Sequence, residues 1–403
     1  MHKNQVSIIG GGVAGLALAI ILACRGIAVN VIERHQWTDP SQIKPTARTT
    51  ALMQGSITIL RRAGKVWNGD LQAHSAPLYG LSMWDDSLFP CGGDSIVKQD
   101  FKPYEIGEEI FGYNIPLGLM IAHLAQEARK YQNIVLMPEM TVQDIIFNDS
   151  RAEIILEGGQ IIATDLVIGA DGRQSLVRDK AGIGTQVTSY GQKAITCLID
   201  HSQPHHGISV EFHRAGGPFT LVPLPGNRSA IVWVEKDRDA DAFMALSRQD
   251  FVEAIQQRSR DILGKIELVQ GSKPESWPLV SLKADKLYGK RAVVIAEAAH
   301  VISPIGAQGL NLSLRDVDVL ADTIIGAMQI GQDIGGETVL ASYAHKRQRD
   351  IGLRMFGVDA LNRSVANDNP LIRKIRRLGL RSLSHIGPLR SLMMQEGLVP
   401  LKS

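Results

Sequence analysis

Cysteine is scarce in this chain. Cys24, Cys91 and Cys197 lie far apart and form no C-x-x-C pair. That spacing excludes a disulfide framework, a zinc ribbon or a dithiol redox motif, and it fits a reducing cytoplasm. A surplus of charge is also missing. The net charge of +2 is too small for nucleic acid to be a general partner. No internal repeat or low-complexity segment is present. His201, His205 and His206 sit together beside Pro204, but no acid or thiol at ligand spacing joins them. A solvated loop is expected there, and no metal site. What remains is an ordinary globular composition, 44% hydrophobic and 21% charged over 403 residues, enough for two or three domains with a substantial core.

One long uncharged run stands out, the nineteen residues from Val6 to Cys24. It has the length of a membrane span. Gly10-Gly11-Gly12 and Gly15 interrupt it, however. The expected parse is a buried strand over Gln5–Ile9, a glycine turn, a helix from Val13 to about Arg25, and a second strand over Ala28–Ile32 that ends in Glu33. Read so, the run is a βαβ unit, with neither signal peptide nor transmembrane helix.

That unit carries G-x-G-x-x-G as Gly10, Gly12 and Gly15. The glycines serve a tight turn, the approach of a pyrophosphate, and close helix–strand packing. Glu33 follows Gly15 by eighteen residues, where an acid hydrogen-bonds an adenosine ribose. Val13, Ala14 and Arg34 flank these positions and complete the candidate contacts. The fingerprint alone does not separate FAD from NAD.

The most informative block is Val293 to Asp316, VVIAEAAHVISPIGAQGLNLSLRD. An apolar run ends in an acid, Glu297. A Pro-Gly loop follows, from Pro304 to Gly309, and an amphipathic stretch opens at Leu310-Asn311. This is the order strand, carboxylate, tight loop, helix N-terminus. Such an N-terminus presents unpaired N–H groups and favours an anion. Pro304 fixes the loop, while Gly306 and Gly309 let backbone approach a flat ligand. A reduced flavin, negatively charged at its pyrimidine end, is such a ligand. A third block, Asp165 to Arg173, is another buried strand, ending in Asp171-Gly172, with Ser175 and Arg178 after it. Either this is a plain strand-to-helix turn with Gly172 at a strained position, or Asp171 and the adjacent backbone lie against a cofactor's phosphates and ribityl chain, with Arg173 and Arg178 available to a phosphorylated nucleotide. Arg48, in a Pro-Thr-Ala-Arg loop, is either a surface arginine or a guanidinium near phosphates.

In this order, the glycine-rich βαβ unit with Glu33, Arg48-Thr-Thr-Ala-Leu, Gly-Ala-Asp-Gly, and Ala-Ala-His…Pro-Ile-Gly-Ala-Gln-Gly-Leu-Asn…Arg-Asp resemble the class A FAD-dependent aromatic hydroxylases, which share the p-hydroxybenzoate hydroxylase fold. Gly217-Pro-Phe-Thr-Leu-Val-Pro-Leu, Ser229-Ala-Ile-Val-Trp, Trp277-Pro-Leu and the tail from Asn367 to Glu396 resemble the ubiquinone-biosynthesis branch. Two departures stand out. Members usually have Gly-Asp at Ala296-Glu297, and a polar residue is frequent around Leu117.

The resemblance implies FAD as cofactor, with NADPH or NADH as co-substrate and O₂. A flavin C4a-hydroperoxide would pass one oxygen to a polyprenylated phenol on the way to ubiquinone. The single dinucleotide fingerprint fits transient nicotinamide binding on an existing groove. No catalytic acid or base is assigned, and His300 is read as a hydrogen-bonded structural residue. Two alternatives stay open. One is a hydroxylase of a soluble aromatic acid, which would want a fixed arginine in its pocket. The other is a non-catalytic flavin- or lipid-binding accessory protein.

The expected fold class is α/β: a Rossmann-like FAD-binding domain, an antiparallel-sheet substrate domain, and C-terminal helices. Residues 1–75, 101–182 and 278–345 are assigned to the first, 76–100 and 183–277 to the second, and 346–403 to the helical region. Expected helices include Thr50–Ala63, Leu119–Lys130 and Arg248–Leu263. Short strands are expected over Ala194–Asp200, Ile208–His213, Phe219–Leu224 and Ala230–Glu235, with the alternation of Ile208, Val210 and Phe212 marking a one-sided sheet. From Leu371 onward, seven Arg or Lys (Arg373, Lys374, Arg376, Arg377, Arg381, Arg390 and Lys402) face one acid, Glu396, for a local net of +6. Leu371, Ile375, Leu378, Leu383, Ile386 and Leu389 recur between them. The stripe fits an interfacial helix on an anionic membrane surface, or packing on the FAD domain or on a second subunit in an oligomer. The expected location is cytoplasmic and peripheral on the inner face of the membrane, beside other ubiquinone-biosynthesis enzymes.

Overall fold

The apolar runs nearest the N-terminus build a sheet buried on both faces. Gln5–Ile9 pairs in parallel with Ala28–Ile32 on one side and Leu166–Gly169 on the other. Ile134–Met137 and Ala292–Val294 extend it in the same sense, and Tyr288–Gly289 closes one edge antiparallel. Val167 and Ile168 point to opposite faces, yet both are fully buried. That explains why these strands read as unbroken Val, Ile and Leu rather than as alternating patterns. The helix Val13–Ala23 is buried at every residue, between Leu117–Ala128 and Gln308–Gln329. Its lack of an amphipathic stripe is therefore a sign of a central position. Among the described residues no helix is long and apolar enough to cross a membrane.

This computed structural model describes residues 5–67, 69–87, 96–304 and 308–366. Gly306 and the basic stripe beyond Leu371 lie outside the described residues.

The second sheet is mostly antiparallel and has nine strands. Its order runs His300–Val301, Glu275–Ala284, Thr185–His201, Arg228–Lys236, Gly217–Leu224, Ile208–Arg214, Gly80–Asp85, Val97–Phe101, with Ile266–Leu268 paired to Thr185–His201. One pair, Ile208–Arg214 with Gly80–Asp85, is parallel. Alternation sets the two faces. Val210, Phe212, Phe219, Leu221, Ile231 and Trp233 pack on Phe251 and Ile255 of the helix Arg248–Arg258. Edge-to-face contacts join the rings, with centroids 4.9 Å apart for Trp84 and Phe212 and 5.9 Å for Phe219 and Trp233. The residues between them face the other way, toward the first sheet.

Several elements differ from the sequence reading. Thr49–Met53 is a strand, paired antiparallel with Gly112–Pro116, and the helix begins only at Gln54 and ends at Arg62. The β-branched Thr49-Thr50 pair favours that extended start. The helix expected to reach Leu263 stops at Arg258, and a second one, Asp237–Met244, precedes it. His201 is no solvated loop residue. It ends the strand Thr185–His201, is buried, and bonds Gln203 O at 2.7 Å and Ser229 Oγ at 3.0 Å. Strand Glu275–Ala284 runs through the boundary drawn at 278, Ala76–Leu78 pairs with Gly112–Pro116, and the helix Glu337–Ala366 spans the boundary at 345. Chain segments here cross between layers by hydrogen bonding, which composition does not record.

One buried charge cluster locks the far end of the second sheet. Asp86 accepts from Arg214 Nε at 2.9 Å and Nη2 at 2.6 Å, and from Arg260 Nε at 2.9 Å. Burial pushes the Arg214 guanidinium down to about 10, with Asp86 opposing the shift. Removing the acid leaves buried cations uncompensated. Asp86→Ala should cost about 3–5 kcal/mol in unfolding free energy by denaturant titration. A loss below about 1 kcal/mol would show that solvent reaches the cluster.

Candidate active site

A cavity of about 710 Å³ lies between the two sheets, the size of a cofactor pocket. Three loops from the first sheet and one face of the second line it. The glycine turn comes first. A Cβ on Gly10, at φ +109°, would stand 2.2 Å from Ala170 O, and one on Gly15 would stand 2.0 Å from Gly10 O. Both positions are glycine for packing. Gly12 differs, because a Cβ there would meet nothing within 4 Å. Gly12 is the N-cap of the helix Val13–Ala23, which has no side-chain cap and no acid in its first turn. Gly12, Val13 and Ala14 all line the cavity. Free N–H groups and the positive end of a helix dipole thus open onto it. Glu33 does not line it. Its carboxylate accepts from Gly11 N at 2.7 Å and His35 N at 3.0 Å, so it shapes the turn from behind. Arg34 beside it is exposed.

The second loop follows the strand Leu166–Gly169. Ala170, Gly172 and Arg173 line the cavity. Asp171 is turned toward the helix Leu176–Lys180, where it accepts from Val177 N at 3.2 Å. Its other oxygen, Oδ1, is buried with no partner. Burial pushes this carboxyl up, against hydrogen bonds from Ser175 and Val177. Arg178 is not available to a nucleotide: it is buried, and its Nη1 donates to Ala298 O at 3.2 Å.

The third loop carries the family departure. Ala296 has φ +55°, a left-handed conformation in which glycine is favoured by about 1 kcal/mol. Glu297 lines the cavity, is exposed, and accepts from Arg173 Nε at 3.2 Å and Nη2 at 3.5 Å. Beneath them, Asp316 is fully buried. It accepts from Ala296 N at 2.9 Å, His300 Nε2 at 2.7 Å and Arg347 Nε at 2.8 Å. Burial pushes its carboxyl up, but His300 and Arg347 pull harder, and the result lies below the ordinary value. His300 holds Asp316 and also lines the cavity. Pro304, Gly309 and Leu310 line it too, at the start of Gln308–Gln329.

Two expected contacts go elsewhere. Asn311 accepts from Met53 N at 3.0 Å and Ser56 Oγ at 2.6 Å and donates to Ala51 O at 2.8 Å, stapling its helix to the strand Thr49–Met53. Arg48 lies outside the cavity lining, paired with Glu275 at 3.3 Å and placed 5.3 Å over the Trp277 ring. Leu117 does line the cavity, as does the buried Asn114, whose Nδ2 has no partner. The second sheet contributes Leu81, Met83, Val222, Val232 and Trp277, an apolar wall suited to an aromatic ring. In that wall stands Glu211, which the sequence reading missed. The signal was available: Glu211 alternates with Val210 and Phe212, so it faces away from their helix-covered side.

The Asp316 cluster has a pH signature. Its folded-state pKa is depressed, so its stabilisation is complete above about pH 4 and is lost as pH falls through the lower folded value. Asp316→Asn should therefore cost about 3–5 kcal/mol at pH 7, and its deficit relative to the parent should shrink in more acidic buffer. Denaturant titrations from pH 7 to 2.5 would check this; a deficit independent of pH would contradict it.

The comparisons with known proteins accord with this geometry. The family described as FAD binding domain matches residues 3–110 and 116–352. Ubiquinone hydroxylase UbiL of Rhodospirillum rubrum is 31% identical, over 99% of this chain and 90% of its own length. The 3-demethoxyubiquinol 3-hydroxylase of Escherichia coli is 27% identical, over 96% and 97%. Among solved structures, p-nitrophenol 4-monooxygenase PnpA of Pseudomonas putida superposes with a TM-score of 0.80 at 16% identity, covering 100% of this chain and 99% of that one, which establishes a shared fold. With the uncapped helix N-terminus, the three loops and the apolar wall converging on one cavity, the chain is a FAD-dependent flavoprotein monooxygenase, a member of the FAD-binding-domain family that includes the ubiquinone hydroxylases.

Proposed function

We propose that this enzyme hydroxylates a polyprenylated phenol in ubiquinone biosynthesis, with NADPH or NADH as reductant and O₂ as oxygen source. The observation that carries the reading is one continuous cavity, lined at one end by an open helix N-terminus and at the other by an apolar sheet face. The residues fit FAD. Gly12 leaves space where a diphosphate would sit, and the Val13–Ala23 helix offers it unpaired N–H groups. Gly10 and Gly15 keep that turn tight, while Glu33 holds it from behind by accepting the Gly11 N–H. Around the flavin ring we place Arg173 and Glu297, Pro304, and the helix start at Gly309 and Leu310, with Asn311 and Asp171 as supports. Bound flavin supplies the electron and oxygen transfer. The protein's own part is to hold the ring, seat the phenol on the wall of Leu81, Met83, Val222 and Val232, and exclude water.

A long isoprenoid tail partitions into the bilayer, so the phenol must be collected at a surface. In our reading the basic segment after Leu371 docks on anionic lipid and brings the cavity there, in company with other enzymes of the route. The soluble-acid alternative lacks the arginine it needs. Among the described lining residues Arg173 is the sole guanidinium, and Glu297 neutralises it.

Gly12→Ala separates cofactor binding from folding. It should melt like the parent, because its methyl group meets no protein atom. It should hold FAD at least about tenfold more weakly, the value of one lost charge-assisted hydrogen bond. Equal FAD retention after gel filtration would move the diphosphate away from this turn. For the function, a deletion strain should lose ubiquinone and accumulate a prenylated precursor lacking one hydroxyl, or its methylated descendant. Normal ubiquinone in that strain, with no redundant hydroxylase present, would overturn the assignment.

A further inference from the structure

The cavity's sheet wall carries one carboxylate among mostly apolar residues and the hydroxyls of Ser82, Ser209 and Thr220. Glu211 lies on the strand Ile208–Arg214, directly opposite Thr220 and Met83, with Val222 and Val232 nearby in the same lining. Its side chain is 13% exposed, so it is largely desolvated. Two groups touch it. His213 Nε2 lies 2.7 Å from Oε1, and Thr220 Oγ1 lies 3.4 Å from Oε2. A carboxylate only accepts, so His213 carries its hydrogen on Nε2. His213 Nδ1 is buried with no partner. Arg173, across the cavity, is already paired with Glu297.

A carboxylate in an apolar wall is costly unless donors satisfy it. Oε2 has the long Thr220 contact, and Glu211 lines the cavity. We infer that Glu211 determines substrate class: it accepts a hydrogen bond from the hydroxyl of a neutral phenol and repels a ring carboxylate. This rests on the hydroxylase reading above and deepens it. The hydrogen bond also raises electron density at the ring carbons ortho and para to the hydroxyl, the positions an electrophilic oxygen attacks. Complete transfer balances without a further reactant. The phenol O–H bond breaks, its electron pair stays on oxygen, and the proton moves to Oε2. The same carboxylate explains why an aromatic acid is a poor occupant, since like charges in a low-dielectric cavity repel strongly.

The test uses the FAD-loaded full chain and two probes, neutral 2-allylphenol and anionic 4-hydroxybenzoate, with dissociation constants read from perturbation of the flavin absorbance. The parent should prefer 2-allylphenol. Glu211→Gln should weaken 2-allylphenol by roughly tenfold or more and tighten 4-hydroxybenzoate, because the charge is gone while the shape is kept. Glu211→Asp keeps the charge but shortens the reach. It should weaken 2-allylphenol and still reject 4-hydroxybenzoate, which guards against misfolding of the amide variant. A parent that binds both probes equally, or a Glu211→Gln protein with both constants unchanged, overturns the assignment. Complementation keeps the two readings apart. If the Glu211→Gln gene restores ubiquinone with unchanged constants, Glu211 falls and the hydroxylase stands. If the parent gene fails to restore ubiquinone, the function falls whatever Glu211 does.

Discussion

Asp316 sits fully buried in the helix Gln308–Gln329 and receives three donors at once: the Ala296 backbone N–H, His300 and Arg347. Each donor belongs to a different part of the cavity's frame. Ala296 is the turn after the strand Ala292–Val294, and His300 begins the short strand His300–Val301 that joins the second sheet at Leu282 and Lys283. Arg347 belongs to the helix Glu337–Ala366 and also reaches Leu312 O at 3.3 Å. One carboxylate therefore fixes the loop, the link between sheets, and the outer helix. The interior holds these charges only because they are mutually satisfied; any one of them alone would be strongly unfavourable.

The second sheet solves a different problem. It must be stable while one of its faces borders an open cavity. Its stability comes from the opposite face, where Trp84, Phe212, Phe219, Trp233 and Phe251 pack among one another and against helices. Arg214 and Arg258 stack on those rings, with centroid distances of 4.7 Å to Phe212 and 4.5 Å to Trp233. The buried acids Asp86 and Glu235 neutralise them. Because burial is concentrated there, the cavity face can carry polar residues, including the Glu211 carboxylate, that would be a liability in a core.

Much of the first sheet is legible in the sequence because its signals are local. Gln5–Ile9 and Ala28–Ile32 are continuous apolar runs, and the glycine turn between them has the spacing of its task. The one-sided second sheet is legible too, from Ile208, Val210 and Phe212. What escapes is whatever depends on a distant partner. Thr49–Met53 reads as the start of a helix until Gly112–Pro116 pairs with it. Asn311 reads as a ligand residue, yet its amide is spent on Ala51, Met53 and Ser56, more than 250 positions away in sequence. Glu211 is not singled out in the sequence at all. Its strand parity gives the face, but the cavity on that face exists only once two sheets are assembled.

The departure at Ala296-Glu297 shows how such a site tolerates change. The Ala296 backbone needs φ +55°, where a Cβ costs about 1 kcal/mol. The conformation persists because Asp316 grips the Ala296 N–H, so the surrounding network over-determines the turn and absorbs the strain. The extra methylene of Glu297 has its own consequence. It carries the carboxylate to Arg173 on the neighbouring loop, at 3.2 Å, and ties two cavity loops together across their open side. Both partners are about half exposed, so the pair adds little to global stability. Its effect is geometric: it orients Arg173, the one guanidinium among the described lining residues. Among the described lining residues two carboxylates, Glu297 and Glu211, stand with one guanidinium, Arg173, so the charge of the lining leans negative.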